Sequence, residues 1–536
     1  MTDFCNTSEA LRDDHGTSIG SLEKPPGFVF TLALGKKSIV NSSAGGSHAG
    51  GTFKLITNSV MRNIHNKALV LLLLINTSLA ATTQAAAPAA GPKYWKWAPT
   101  PPMGWNSYDA WGTSVDEKQV LANARYMQAH LLAHGWQYIV IDARWYDSVS
   151  SYDDRDFNKD RANAQLFADE FGRLLPATNR FPSAVDGKGF KPLADQIHAM
   201  GLKFGFHMMR GIPRQAMKAA MPIEGSNFTA ADAADTNSIC GWCPDMFGVR
   251  DNAAGQAWYD SCARLWAAWG VDFIKVDDLS RPYHAHEIEM IRKAIDKCGR
   301  PIVFSTSPGP TDPKEAANIS KQANMWRISG DFWDQWGDTY RSGLNHQFDL
   351  LAQWQGVGGP GHWPDADMIP FGHIGIKCTI AGPDRQSRFT HDEQRMLMSL
   401  WALAPSPLIL GANLPDLDAW TLSLLTNDEV LAVNQDSLGS PARRVAQKNG
   451  TEIWVKQLQD GSKAIGLFNR SNAAHLVELD WSDAGLTGKQ KLRDLWAHKD
   501  LGIFEGKFSV QVPSHGAVLL RADRENVAKQ KSGDGS

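Results

Sequence analysis

From about Pro99 the chain repeats one unit, a short apolar run followed by an amphipathic stretch, eight times over. Each run has strand length and each following stretch has helical spacing. Strands that alternate with helices pair in parallel, and eight such units predict a closed (β/α)8 TIM barrel over an open doubly wound sheet. The runs are MGWNSY (Met103–Tyr108), YIVID (Tyr138–Asp142), KFGFH (Lys203–His207) and VDFIKV (Val271–Val276), then PIVFS, MWRIS, the Gly/Pro-rich GGPGHWPD and PLILG. In the first helix Val120, Ala124, Met127 and Leu131 share one face, Ser114 and Glu117 read as an S-x-x-E capping box, and Gly135 closes the segment. Long insertions follow Asp142 and span Pro213–Ala254. Beyond Asn434-Gln435-Asp436 the helices stop. Short segments such as EIWVKQL, KAIGLFN, LVELDW and GAVLLRA alternate with Gly, Asn and Asp turns. The barrel is therefore expected over residues 99–436, an antiparallel β-sandwich over 437–523 and a polar tail over 524–536.

The first 60 residues carry no sustained periodicity. Met61 is then followed by Arg62, His65 and Lys67, the apolar run Ala68–Ile75, and small residues at Ser78-Leu79-Ala80 and Thr83-Gln84-Ala85. A basic start, a short apolar core and a small-residue exit predict a signal peptide over residues 61–85, with translation starting at Met61 and 1–60 a disordered, non-native extension. The run is too short to span a membrane. The product is expected to be exported, periplasmic or secreted, and not embedded in a membrane.

Charge narrows the partners. Lys and Arg number 54 against 57 Asp and Glu, a net charge of −3, which argues against nucleic acid and against a polybasic membrane-surface protein. Twenty Trp and 22 Phe favour a neutral ligand, because flat aromatic faces stack on sugars. Five cysteines follow the leader: Cys240, Cys243, Cys262, Cys298 and Cys378. Their odd number leaves at least one unpaired within the chain, and Cys240-Gly-Trp-Cys243 lacks the second pair a zinc site needs. Nothing in the pattern bears on oligomeric state.

Chemistry in such a barrel sits at the C-terminal ends of the strands. Those ends carry Asp142, Asp277, Asp278, Asp331, Asp365 and Asp367. Aspartates are poor strand formers and costly to bury unpaired, so their repeated placement calls for a chemical reason. Converging carboxylates point to glycoside hydrolysis by two acids or to metal-assisted hydrolysis with His362, Asp365 and Asp367 as ligands.

The blocks PPMGWNSY, FIKVDD, MWRISGD, GGPGHWPDADM, LWALAPSPLILG and NDEVLAVNQD, in this order from Pro101 to Asp436, closely resemble glycoside hydrolase family 27, the α-galactosidase and α-N-acetylgalactosaminidase group. The resemblance implies a retaining enzyme with no cofactor and no metal, acting on a small or oligosaccharide substrate with a terminal galactose-like sugar. By matched position Asp277 is the implied nucleophile and Asp331 the implied acid/base. The nucleophile must be ionised, which the neighbouring Lys275 would favour. The acid must hold a proton, so partial burial or like-charged neighbours are expected around it. Lys275 and Arg327 are implied donors to ring hydroxyls, Asp142 an acceptor for O4 and O6, and Tyr108 an aromatic under the sugar face. His207 stands where many relatives carry a tyrosine.

Three departures blur the substrate. The family's tandem acid pair reads Asp142-Ala143. The loop Ser305–Pro310, with Ser307, is small and not acidic where relatives read the 2-position. Leu279 replaces the cysteine that usually follows the nucleophile motif, which removes the disulfide expected beside the site. An α-D-galactosidase is the first expectation, with a β-L-arabinopyranosidase or an α-N-acetylgalactosaminidase as alternatives and a non-catalytic sugar-binding protein as the rival from another class.

Overall fold

Eight short runs become strands because most of their side chains are apolar and are buried either toward the barrel interior or toward the surrounding helices. The computed structural model of the chain describes residues 91–148, 166–338 and 342–525; the expected signal peptide and the segment before it lie outside them. The strands are β1 Met103–Asn106, β2 Tyr138–Ile141, β3 Lys203–Met209, β4 Phe273–Asp277, β5 Val303–Thr306, β6 Met325–Arg327, β7 Trp363–Asp365 and β8 Leu408–Leu410. All pair in parallel in the order β7-β6-β5-β4-β3-β2-β1-β8, and a parallel bridge from Ile369 to Leu410 joins the two ends. This is the expected barrel. Lys93–Trp97 belongs to it as well, although the expected boundary was 99: Tyr94 is buried, and the Trp95 indole donates to the Ser320 carbonyl at 3.2 Å.

The principal helices are α1 Glu117–His130, α2 Lys191–Ala199, α3 Ala253–Trp269, α4 Ala285–Lys297, α5 Ala316–Ile319, α6 Leu344–Gln353, α7 His391–Leu403, α8 Ala419–Leu425 and α9 Asp428–Asn434. The start of α1 corrects the sequence expectation. Asp116 is its N-cap, and Asp116 with Gln119 forms the capping box; the Ser114 hydroxyl donates instead to the Trp111 carbonyl at 2.7 Å. Helix α3 buries Trp258, Tyr259, Cys262, Trp266 and Trp269 along one side, opened by the Asn252 cap and closed by Gly270 at φ +81°.

Helix α7 is buried from Met396 to Leu403, because it lies between the barrel and the C-terminal domain. That domain has β9 Arg443–Lys448, β10 Thr451–Gln457, β11 Lys463–Asn469, β12 His475–Asp480, β13 Lys489–Asp494, β14 Lys499–Glu505, β15 Lys507–Val512 and β16 Gly516–Arg524. A six-stranded antiparallel sheet, β9-β10-β11-β16-β13-β14, faces the β12–β15 pair across Ile465, Leu467, Val477, Leu479, Phe508 and Leu520. Strand β16 reaches Arg524, one residue into the expected tail.

Candidate active site

Alternation along β4 puts Phe273, Lys275 and Asp277 on one face, toward the barrel axis. Register sets Lys275 beside His207 of β3 and Ser305 of β5. The C-terminal ends of the strands thus assemble one cavity of about 530 Å³. All eight residues singled out in the sequence line it: Tyr108, Asp142, His207, Lys275, Asp277, Ser307, Arg327 and Asp331. Cys240, Cys243, Cys262, Cys298 and Cys378 remain thiols, and Leu279 is fully buried. Among the described residues no three ligating side chains gather as a metal site, and His362 stacks on Trp95 with ring centroids 4.0 Å apart.

Asp277 is held by two neighbours. The Ser307 hydroxyl donates to its Oδ1 at 2.9 Å, and His207 Nε2 lies 3.5 Å from its Oδ2. Burial alone would raise this carboxyl, but the His207 contact, with the charges of His207 and Lys275, holds it below its ordinary value. The charge of Lys275 contributes as the sequence led one to expect, although the contact with Asp277 is made by His207. The Lys275 ammonium itself lies 2.9 Å from Oδ2 of Asp142.

Asp142 is heavily engaged. Its Oδ1 accepts from the Ala143 amide at 2.8 Å, and its Oδ2 accepts from Asn106 Nδ2 at 2.7 Å as well as from Lys275. Although buried, it is kept well below the usual carboxylate range by the Lys275 charge and by these bonds. Ala143 lines the cavity with a methyl group.

Across the cavity, Arg327 Nη2 stands 2.7 Å from Oδ2 of Asp367 and 3.3 Å from Oδ1 of Asp331. The Asp331 side chain is 41% exposed, the partial burial expected of it, and the Arg327 guanidinium stands beside it. The like-charged neighbour is Asp367, on the other side of the same guanidinium; burial raises the carboxyl of Asp367. Asp365, behind it, is pushed up to about 6, again by burial.

A further lining residue escaped the sequence reading. Asp109, directly after Tyr108, is buried and lines the cavity; burial raises its carboxyl well above the ordinary value. Its Oδ2 packs so closely on Gly411 that any side chain there would collide at 1.9 Å. Trp242, from the Pro213–Ala254 insertion, also lines the cavity. Asp109 falls outside a strand-end search because it lies on the helical turn that follows β1.

Residues 251–436 match the family model for alpha galactosidase A, and residues 448–522 match that for the alpha galactosidase C-terminal beta sandwich domain. The α-galactosidase of Cyamopsis tetragonoloba is 32% identical over 78% of this chain and 85% of its own length. A family 27 β-L-arabinopyranosidase from Geobacillus stearothermophilus is 47% identical, with a TM-score of 0.77 over 83% of this chain and all of that one. A variant of that enzyme, solved in complex with arabinose, matches with the same identity and TM-score over 82% of this chain.

Proposed function

This chain belongs to glycoside hydrolase family 27, and we propose that its preferred substrate is a terminal β-L-arabinopyranoside, with the corresponding α-D-galactoside accepted second. The two sugars share ring configuration and differ by the C6 hydroxymethyl group. The observation that carries this reading is the state of Asp142. An ionised carboxylate offers roughly four acceptor sites. Bonds from Ala143, Asn106 and Lys275 fill three of them. One site remains, enough for the axial O4 but not for O6 as well, and the adjoining side chain is the methyl of Ala143. A hydroxyl buried without a partner costs about 1–3 kcal/mol, or about 5- to 150-fold in specificity. The likeness to the Geobacillus arabinopyranosidase supports the same reading.

In the proposed reaction Asp277 attacks the anomeric carbon while Asp331 gives its proton to the departing glycosidic oxygen. The covalent glycosyl ester on Asp277 is then cleaved by water, whose proton returns to Asp331 as the hydroxide oxygen bonds to the anomeric carbon. Ser307 and His207 hold Asp277 ionised for the first step. Arg327 steadies Asp331 and presents its fork to ring hydroxyls.

Hydrolysis of paired aryl glycosides tests the substrate. A preference for β-L-arabinopyranoside of about tenfold or more is expected, and Ala143→Asp should move the ratio toward the galactoside by adding an acceptor. A wild-type preference for galactoside would reverse the assignment. Export rests on residues 61–85 alone; N-terminal sequencing of the secreted protein would show a start near Ala81 or Ala86, and a mature chain retaining Thr2 would reject it.

A further inference from the structure

Asp277 is the last residue of β4, and the next residue turns sharply: Asp278 has φ +61°, a region that side chains with a Cβ rarely occupy. Strain of this kind persists only where the surroundings over-determine it. Here the surroundings are the end of β3. The Arg210 amide donates to the Asp277 carbonyl at 3.1 Å. The Arg210 Nε donates to the Asp278 carbonyl at 2.8 Å and stands 2.9 Å from Oδ2 of the same residue.

Arg210 is itself clamped. Its Nη1 donates to Glu287 Oε1 of α4 at 2.8 Å, and the Tyr259 hydroxyl of α3 donates to Glu287 Oε2 at 2.5 Å. The same hydroxyl accepts from the Gly211 amide at 3.1 Å, which returns the chain of bonds to β3. Arg210, Asp278, Tyr259 and Glu287 are all buried, and none of them lines the cavity. On the far side the Leu279 amide donates to the Ser307 carbonyl at 2.9 Å, while the Ser307 hydroxyl holds Asp277. The backbone on both sides of the Asp277 side chain is therefore pinned.

We propose that Arg210, clamped by Glu287 and Tyr259, is a positioning residue that holds Asp278 in the left-handed conformation and so aims the Asp277 carboxylate at the anomeric carbon. The inference rests on the assignment of Asp277 as nucleophile. If Asp278 relaxed to negative φ, the last peptide of β4 would rotate and carry the carboxylate with it. A misplacement of about 1 Å at a reacting group costs on the order of 100-fold in rate. Substrate contacts elsewhere in the cavity would be untouched, so the loss falls on kcat.

The test uses the full-length enzyme and the variants D278A, D278G, R210M, R210K and D277A. The readouts are kcat and KM on an aryl β-L-arabinopyranoside and on the α-D-galactoside, and the rate of covalent labelling by a 2-deoxy-2-fluoro glycosyl fluoride. D278A keeps the strain without its carboxylate, and kcat and labelling rate should fall about 10- to 100-fold with KM within about threefold. Glycine adopts positive φ freely and keeps the carbonyl that Arg210 holds, so D278G should lose clearly less than D278A. R210M should lose at least as much as D278A, and R210K should recover part of it. Equal losses in D278A and D278G, or wild-type kcat in D278A, would overturn the proposal; the Asp278 pair decides the matter even if R210M does not fold. An active D277A would remove the nucleophile assignment itself, whereas a dead D277A beside an unimpaired D278A would remove the Arg210 device alone.

Discussion

The Lys275 ammonium stands 2.9 Å from Oδ2 of Asp142, and this ion pair links the end of β2 to the interior of β4 across the floor of the cavity. It keeps the Asp142 carboxyl ionised despite burial, and the paired carboxylate raises Lys275 in turn. Removing one member of such a pair leaves the other uncompensated, at a cost of about 3–5 kcal/mol. Lys275→Met is expected to lower kcat/KM by about 100-fold or more, mainly through KM, because Asp142 then takes up a proton and no longer accepts from the sugar. A loss below about threefold in steady-state kinetics would show that the pair plays no part in binding.

Asp331 is partly exposed, while Asp277 lies deeper between Ser307 and His207. The two should therefore respond differently to substitution. Asp277→Ala should abolish turnover of every glycoside. Asp331→Ala should cost kcat/KM less than about tenfold on a dinitrophenyl glycoside, and about 100- to 10,000-fold on an alkyl glycoside whose leaving oxygen needs the proton. Equal losses on both substrates would remove Asp331 from the acid role.

Behind the cavity, Asp334 is fully buried and accepts from Arg385 Nε at 2.9 Å, from Arg385 Nη2 at 2.5 Å and from the Arg388 amide at 2.9 Å. These bonds tie the segment after Asp331 to the 371–390 loop, which brings Ile380 to the cavity. Arg385→Met is expected to destabilise the protein by about 3 kcal/mol, read as a lower urea midpoint. A change under about 1 kcal/mol would mean that the Arg388 guanidinium, 3.5 Å away, takes over the contact.

Lys456 of β10 is buried between the C-terminal domain and the barrel, where it donates to the Ala402 and Val433 carbonyls at 3.2 and 2.5 Å. Burial lowers it from 10.5 to about 7. Between those values the unfolded chain binds a proton that the folded chain does not, so this group makes stability rise as pH goes from about 7 toward 10.5. Below about 7 both states carry the proton, and the cost of the buried charge is present in full. Denaturant unfolding at a series of pH values should show Lys456→Met with a flatter profile over that window; an identical slope in both proteins would refute it.

The barrel and the strand-end carboxylates were legible in the amino-acid sequence because both rest on local periodicity. A parallel barrel strand must be apolar on two faces, and side chains on alternate residues must meet at the axis. That places Lys275 and Asp277 together without knowledge of any other strand, and the ordered blocks then point to the family. Partnership was not legible. Two overlapping cap patterns at 114–117 and 116–119 compete for the start of α1, and the packed structure selects Asp116 with Gln119. Lys275 could serve either neighbouring carboxylate, and the approach of β2 assigns it to Asp142. The number of acceptor sites left on Asp142, on which the proposed sugar preference rests, depends on Asn106 and Lys275 arriving from other strands. The clamp on Asp278 joins residues 68 and 77 positions apart. Periodicity is a property of neighbours along the chain, whereas hydrogen-bond capacity and burial are consumed by neighbours in space. The sequence alone therefore determined the fold class and that carboxylates gather at the strand ends, and only the tertiary structure decided which of them reach the cavity and remain available to a sugar.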